Sequence, residues 1–357
     1  MVLAVIMSAV TYYFVEPRLR WGRYGGYKAA GLLSVMVAVG IAGDSVERHE
    51  GYTARMDDPE QPVIDAINKQ MVEDNLRCLK EIPDWNTLSN SNRLTMDLTQ
   101  CRFQRSEGEN TIAIIGDSHG GQLYQGLVAQ TREDEGIVVF PAGAAIPLIG
   151  LHSGATPRAV AGEPYRAHTE HLLSEGFDYI LNHRNITKVV LSHFPLASWH
   201  DVVDTLHPEN QDFDSVLRTG FLRTYEALTN AGKEIYVVLD NPLFVYDNWI
   251  KCQSSVVRRP VIIPAFLRSK RTEICRARQS ELIDRMAVDN WNKVALELAA
   301  GYGNIHFIDL EHVFCSKGIC SMLDRHGNML YRDSLHFNVK GSFYSAPFIM
   351  SQLRQQR

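Results

Sequence analysis

A serine hydroxyl becomes a nucleophile when a base takes its proton, and the base works best when a carboxylate holds it. The sequence offers such a set in two places. Thr111-Ile-Ala-Ile-Ile-Gly-Asp-Ser-His-Gly-Gly121 runs an apolar, β-branched stretch into Gly116 and then Asp117-Ser118-His119. An amphipathic run, Gln122 to Gln130, follows. That order reads as buried strand, sharp turn and helix. It lifts Ser118 out of the sheet, with its own N–H near a helix N-terminus where an oxyanion would be stabilised. The logic is that of a nucleophile elbow, although the sequence is not Gly-x-Ser-x-Gly. A plain surface turn built from Asp and Ser is the alternative. Near the other end, Tyr331-Arg-Asp-Ser-Leu-His-Phe-Asn-Val-Lys-Gly-Ser342 places Asp333 three residues before His336, ahead of a C-terminal helix. An Asp at that distance can orient a His from one local turn; a capping Asp beside a surface His is the other reading.

Taken together, the two segments resemble the first and last blocks of the SGNH hydrolase superfamily. The resemblance implies Ser118 as nucleophile, His336 as general base and Asp333 as its orienter. It also implies oxyanion donors in two further blocks. Phe140-Pro-Ala-Gly-Ala-Ala-Ile-Pro-Leu148 offers Gly143, which is either that donor or an ordinary turn glycine. The third block departs from the pattern: Val189-Val-Leu-Ser-His-Phe-Pro195 has no Asn. His193 is then either a ring donor or a buried structural His. Asn241, in Leu239-Asp-Asn-Pro242, is either a donor or part of a turn before the proline. His119 is expected in the first helical turn, facing solvent or acceptor. Asp117 is expected to brace the turn by accepting backbone N–H groups.

The elements that must position these groups alternate. Strand-like runs cover 111–116, 136–140, 187–192, 234–240 and 304–308. Helical runs cover about 119–131, 164–183, 213–231, 277–300 and 338–353. Apolar strands alternating with helices predict a three-layer α/β/α fold around a parallel five-stranded sheet, with ligands gathered at the carboxyl ends of the strands. No repeat or low-complexity tract interrupts it.

The chain has 357 residues and a formal net charge of −5, which argues against a nucleic-acid partner. Six cysteines stand at 78, 101, 252, 275, 315 and 320. None forms Cys-x-x-Cys and no His spacing completes a zinc site, so no metal is expected. Pairing by proximity gives Cys78–Cys101, Cys252–Cys275 and Cys315–Cys320, although sequence allows other connectivities. Such bridges imply an oxidising compartment. Arg258, Arg259, Arg268 and Arg271 crowd the stretch from Cys252 to Cys275, either lining an anionic sugar site or forming a solvated loop.

The N-terminus carries two uncharged runs, 1–14 and 29–43, joined by a basic loop, 15–28, that holds Arg18, Arg20, Arg23 and Lys28. With Tyr27 and Lys28 as anchors, 29–43 is expected to be a transmembrane helix in the lipid bilayer. The positive-inside bias puts the loop in the cytoplasm and everything after Asp44 outside. Residues 44–61 read as a linker, and Gln61 to Leu79 is helix-periodic. Thr11-Tyr-Tyr-Phe-Val-Glu-Pro-Arg-Leu-Arg20 resembles the end of the tenth membrane helix of acyltransferase-3 proteins. In fused members an eleventh helix and an outer SGNH domain follow, in the order seen here. The resemblance makes 1–14 a membrane-helix remnant, 62–106 an extension with a packing role, and 107–357 the SGNH domain. The membrane catalytic region of such a protein would then lie upstream of Met1 or on a separate chain.

These readings lead to an O-acyltransferase at the bacterial inner membrane, with its SGNH domain in the periplasm. It would move acetyl to the sugar hydroxyls of a cell-surface polysaccharide such as the O-antigen of lipopolysaccharide. The resemblance implies acetyl-CoA as ultimate donor through the membrane region, and no cofactor bound by this domain. Two other classes remain: a periplasmic carbohydrate acetylesterase using the same triad, and a non-catalytic acceptor-docking domain, which the missing Asn would suit.

Overall fold

The structure, a computed structural model, describes residues 12–13, 24–48, 61–82, 100–105, 109–143, 145–153, 163–195, 202–256, 272–283 and 285–355. The chain divides into two units, Met1–Pro62 and Val63–Arg357. Most of the expected membrane-helix remnant, much of the basic loop and linker, and the arginines from 258 to 271 lie outside the described residues.

In the first unit the described helix is Gly25–Arg48. Leu33, Val35, Met36, Val37, Val39 and Ile41 are exposed along it. The spanning role expected for 29–43 is not shown: no described helix is long and apolar enough to cross a membrane. Charged Lys28 and Asp44 bracket the apolar stretch, which falls short of the roughly 20 apolar residues a bilayer needs.

The second unit opens within the helix Gln61–Glu81, at Val63, and is built on a six-stranded sheet. In chain order its strands are β1 (Arg102–Gln104), β2 (Asn110–Gly116), β3 (Glu135–Pro141), β5 (Ile186–Ser192), β7 (Glu234–Leu239) and β9 (Ile305–Asp309). Short strands β4 (Leu151–Ser153) and β6 (Val202–Asp204) pair with each other. β8 (Arg276–Arg278), β10 (Cys315–Ser316) and β11 (Ile319–Ser321) form a small third sheet. The main order is β1-β3-β2-β5-β7-β9. The five expected strands are parallel, but β1 adds an antiparallel sixth on the β3 edge, so the sheet is mixed rather than purely parallel.

Residues alternate between the two faces of the sheet. Ala113, Ile115, Val138, Phe140, Val189 and Leu191 pack with Phe177, Phe221 and Trp291 from the helices Glu163–Asn182, Phe213–Asn230 and Arg285–Ala299. Ile112, Ile114, Val139, Val190 and Val238 pack on the opposite face with Tyr124, Leu127, Ile349 and Leu353, from the helices Tyr124–Val128 and Val339–Arg354. The three-layer arrangement follows. Two helical expectations need correction. The run at 119–131 breaks into Ser118–Gly121 and Tyr124–Val128. The run at 277–300 is helical only from Arg285, because 276–278 is drawn into the small sheet against β11.

All three disulfides form as the proximity pairing predicts: Cys78–Cys101, Cys252–Cys275 and Cys315–Cys320. The first ties the helix Gln61–Glu81 to the segment entering β1. That helix is also held by Asn75, whose Nδ2 donates to Cys101 O at 2.7 Å, and by Tyr124, whose hydroxyl donates to Asp74 at 2.8 Å.

The C-terminal helix lies so close to Tyr124–Val128 that only glycine fits between them. A Cβ at Gly126 would sit 2.1 Å from the Ser342 carbonyl oxygen. The Gly126 N–H also donates to Ser342 Oγ at 2.9 Å. Gly126→Ala should therefore destabilise the domain by about 1–3 kcal/mol, the usual cost of overpacking, read as a lowered midpoint in denaturant unfolding.

Candidate active site

The parallel strands end in register. Gly116 pairs with Pro141 on one side and Ser192 on the other, and Leu239 pairs with Asp309. The residues that follow the first four ends therefore share one edge of the sheet: Asp117-Ser118, Ala142-Gly143, His193-Phe194 and Asp240-Asn241. β2 lies between β3 and β5, where the strand order reverses, which is where open α/β sheets bind ligands. Gly116 is needed at this point, because a Cβ there would lie 1.9 Å from the Ser192 carbonyl oxygen.

Ser118 begins the short helix Ser118–Gly121, and Asp117 caps it. The Asp117 carboxylate accepts from His119 N and Phe194 N, each at 2.8 Å, and lies 2.9 Å from His193 Nδ1. It thereby joins the turn after β2 to the turn after β5. Burial would push its carboxyl up; the charge and hydrogen bond of His193, with His119 and the Phe194 amide, outweigh burial and hold it below the ordinary value.

The loop before the C-terminal helix brings His336 to this edge. The Ser118 hydroxyl donates to His336 Nε2 at 2.8 Å, across 218 positions of sequence. His336 Nδ1 lies 2.9 and 3.0 Å from the two oxygens of Asp333. One of those oxygens also accepts from the N–H groups of Leu335 and His336, both at 2.8 Å, so a local turn fixes carboxylate and ring together. Burial raises the Asp333 carboxyl, but the His336 hydrogen bond and charge and these two amides bring it well below the usual range. An anionic Asp333 selects the tautomer with hydrogen on Nδ1. Nε2 is then free to accept the Ser118 proton.

The other sequence candidates fall differently. His193 is 2 % exposed, with Nδ1 turned to Asp117 and its ring 4.7 Å from that of Trp291, as a structural His would be. Asn241 belongs to the turn: its Nδ2 donates to Leu335 O at 2.9 Å and to Pro242 O at 3.3 Å. His119, expected to face solvent or acceptor, is fully buried, with Nδ1 2.7 Å from Asp240 Oδ1. A four-residue helix turns that side chain inward under Phe194, whose ring stacks on it at 4.9 Å. Gly143 stands in the loop after β3, next to Ala142, whose N–H donates to Gly116 O at 2.8 Å. Among the described residues, no group of His, Cys, Asp and Glu is arranged to hold a metal ion.

Residues 86–350 match the family described as "SGNH domain (fused to AT3 domains)". The chain belongs to this family. No curated protein matches it. Three solved structures resemble this SGNH chain. The lipopolysaccharide acetyltransferase periplasmic domain of Salmonella ser. Paratyphi A is 16% identical over 69% of this chain and 84% of its own, with a TM-score of 0.47. A putative platelet activating factor from Streptococcus pneumonia is 14% identical, covers 82% and 97%, and scores 0.37. The acetyl xylan esterase AlAXEase is 14% identical, covers 68% and 98%, and scores 0.38.

Sequence reading missed the residue that grips the His336 loop of this SGNH site. Gln122 Oε1 accepts from Phe337 N at 2.7 Å, and its Nε2 donates to Asn241 Oδ1 at 2.9 Å. Asn241 holds Leu335 O, so the backbone is clamped on both sides of His336. The signal was a Gln one helical turn after Ser118, but its partners are 119 and 215 residues away. Gln122→Leu leaves the Phe337 N–H and Asn241 Oδ1 without the partners Gln122 gave them, at about 1–3 kcal/mol each. It should cut kcat on a small acyl ester by about 10²-fold with KM little changed, since a displaced base slows the chemistry more than the binding. Steady-state kinetics on the folded variant checks this.

Proposed function

We propose that this chain is an SGNH-type O-acyltransferase that passes acetyl groups to sugar hydroxyls of a bacterial cell-surface polysaccharide, such as O-antigen. The observation that carries it is the relay from Ser118 through His336 to Asp333, in a chain whose family is fused to AT3 domains. Ser118 Oγ attacks the acyl carbonyl while His336 Nε2 takes its proton. The tetrahedral oxyanion is met by backbone N–H groups, for which Ser118 and Gly143 are the candidates. Collapse breaks the bond to the leaving group, which takes the proton from His336, and leaves acyl-Ser118. A sugar hydroxyl then gives its proton to His336 and attacks the acyl carbon. Ser118 departs and recovers the proton.

The three disulfides support an oxidising location, the periplasmic face of the inner membrane. The partner is a membrane-embedded AT3 region that delivers acetyl originating in cytoplasmic acetyl-CoA; this chain's residues act on the acyl group after delivery. One observation favours a second reading, hydrolysis by the same relay. The Asp333 side chain is 36% exposed, so the site is open to water. A transferase must keep water from acyl-Ser118 until the acceptor is seated.

The full chain should release nitrophenol from nitrophenyl acetate and carry acetyl on Ser118 by mass spectrometry. Ser118→Ala should lower turnover by at least about 10³-fold. Unchanged turnover in that variant would remove the nucleophile. With the AT3 region, acetyl-CoA and polysaccharide present, O-acetyl sugar is the expected product; acetate alone would select the esterase.

A further inference from the structure

The imidazole of His119 is no member of the relay, yet it lies against it. Its ring centroid is 4.8 Å from that of His336, and its Nδ1 is 2.7 Å from Asp240 Oδ1. Both side chains are buried, at 0% and 3% exposure. Asp240 Oδ1 also accepts from Asn241 N at 2.8 Å, while Asp240 Oδ2 has no hydrogen-bond partner. No second cation pairs with this carboxylate among the described residues, so its charge is compensated only if His119 is protonated. A buried carboxylate without a counter-charge is strongly disfavoured. The charged and titratable groups around His119 come from every neighbouring element: Asp240 after β7, Asp117 on its own turn, and Asp333 and His336 on the C-terminal loop. His193 stands beyond Asp117 and Arg332 beyond Asp333.

We propose that His119, held by Asp240, is a positioning residue that sets the charge of His336: an imidazolium against the His336 ring keeps that ring neutral, and so able to take the Ser118 proton, at lower pH than an isolated His–Asp pair allows. The inference rests on the reading of His336 as general base. Two like charges at this separation, with the His119 side chain fully buried, repel by an amount that matters on the pH scale. The balance at His119 agrees. Burial pushes its imidazole down, but Asp240, then Asp117 and Asp333, bring it above the ordinary value. Its Nε2 is buried without a hydrogen-bond partner, which removes substrate contact as its task and leaves action through the neighbouring ring.

The test is the rate at which an alkyl fluorophosphonate phosphonylates Ser118 in the full chain, followed by mass spectrometry from mildly acidic to mildly alkaline pH. In that step the Oγ–P bond forms, fluoride leaves and His336 takes the proton, so the acid limb reports His336. His119→Gln should move the limb upward by roughly one pH unit, because the cation is lost and Asp240 stays. Asp240→Asn should move it upward by less, since it removes the carboxylate together with the charge it supports. Both should retain labelling at alkaline pH. A slower reaction with an unmoved limb would make His119 merely structural and overturn the proposal. An unlabelled wild-type chain at every pH would instead overturn the nucleophile assignment, and this inference with it. Should either buried variant fail to fold, ring ¹⁵N NMR of the wild-type chain decides: His119 protonated on both nitrogens at neutral pH is required, and a neutral His119 overturns the proposal.

Discussion

A hydroxyl at the end of one strand and an imidazole supplied 218 positions later must meet at 2.8 Å, and the rest of the second unit is arranged around that meeting. Neither partner can reach the other by local geometry. Asp333 fixes the ring's direction, but a turn that short cannot fix the loop's place in the molecule. That is done by amides reaching across from the sheet edge, Gln122 on Phe337 and Asn241 on Leu335. The C-terminal helix then locks the loop from behind, seated on the glycine that lets it approach. Hydrogen bonds set the angle and packing sets the position.

The same edge holds three carboxylates, at 117, 240 and 333, each facing a histidine. Charges of this kind are costly to bury and tolerable only when paired and hydrogen-bonded. Pairing every one with an imidazole supplies that partner inside the site. The paired imidazoles first, and then the backbone N–H groups aimed at Asp117 and Asp333, hold those two carboxyls below the ordinary value. The acid–base work is thereby left to the rings.

The sheet was legible because its central strands are buried on both faces and so read as unbroken apolar runs. β1 was not: Arg102-Phe-Gln104 is short and largely polar, and it is a strand only because β3 offers it an edge. The helix expected from 277 overreached because Ala277 has helical periodicity locally but pairs with Cys320, a partner sequence reading could not supply. At the site, Ser118, Asp333 and His336 could be singled out since each sits in a self-contained turn. Gln122 and Asp240 were missed because what they do is defined by residues far along the chain. His119 was misplaced because four helical residues have too short a period for its inward face to be read.

β1 has one more consequence. A parallel sheet that ended at β3 would present an open row of amides and carbonyls, an invitation to strand addition by another molecule. Three residues running the opposite way cover the middle of that row, at Ile137–Val139, and the Cys78–Cys101 bridge staples the cover to a helix. The region ahead of the nucleophile strand thus covers part of a sheet edge as well as leading into the domain.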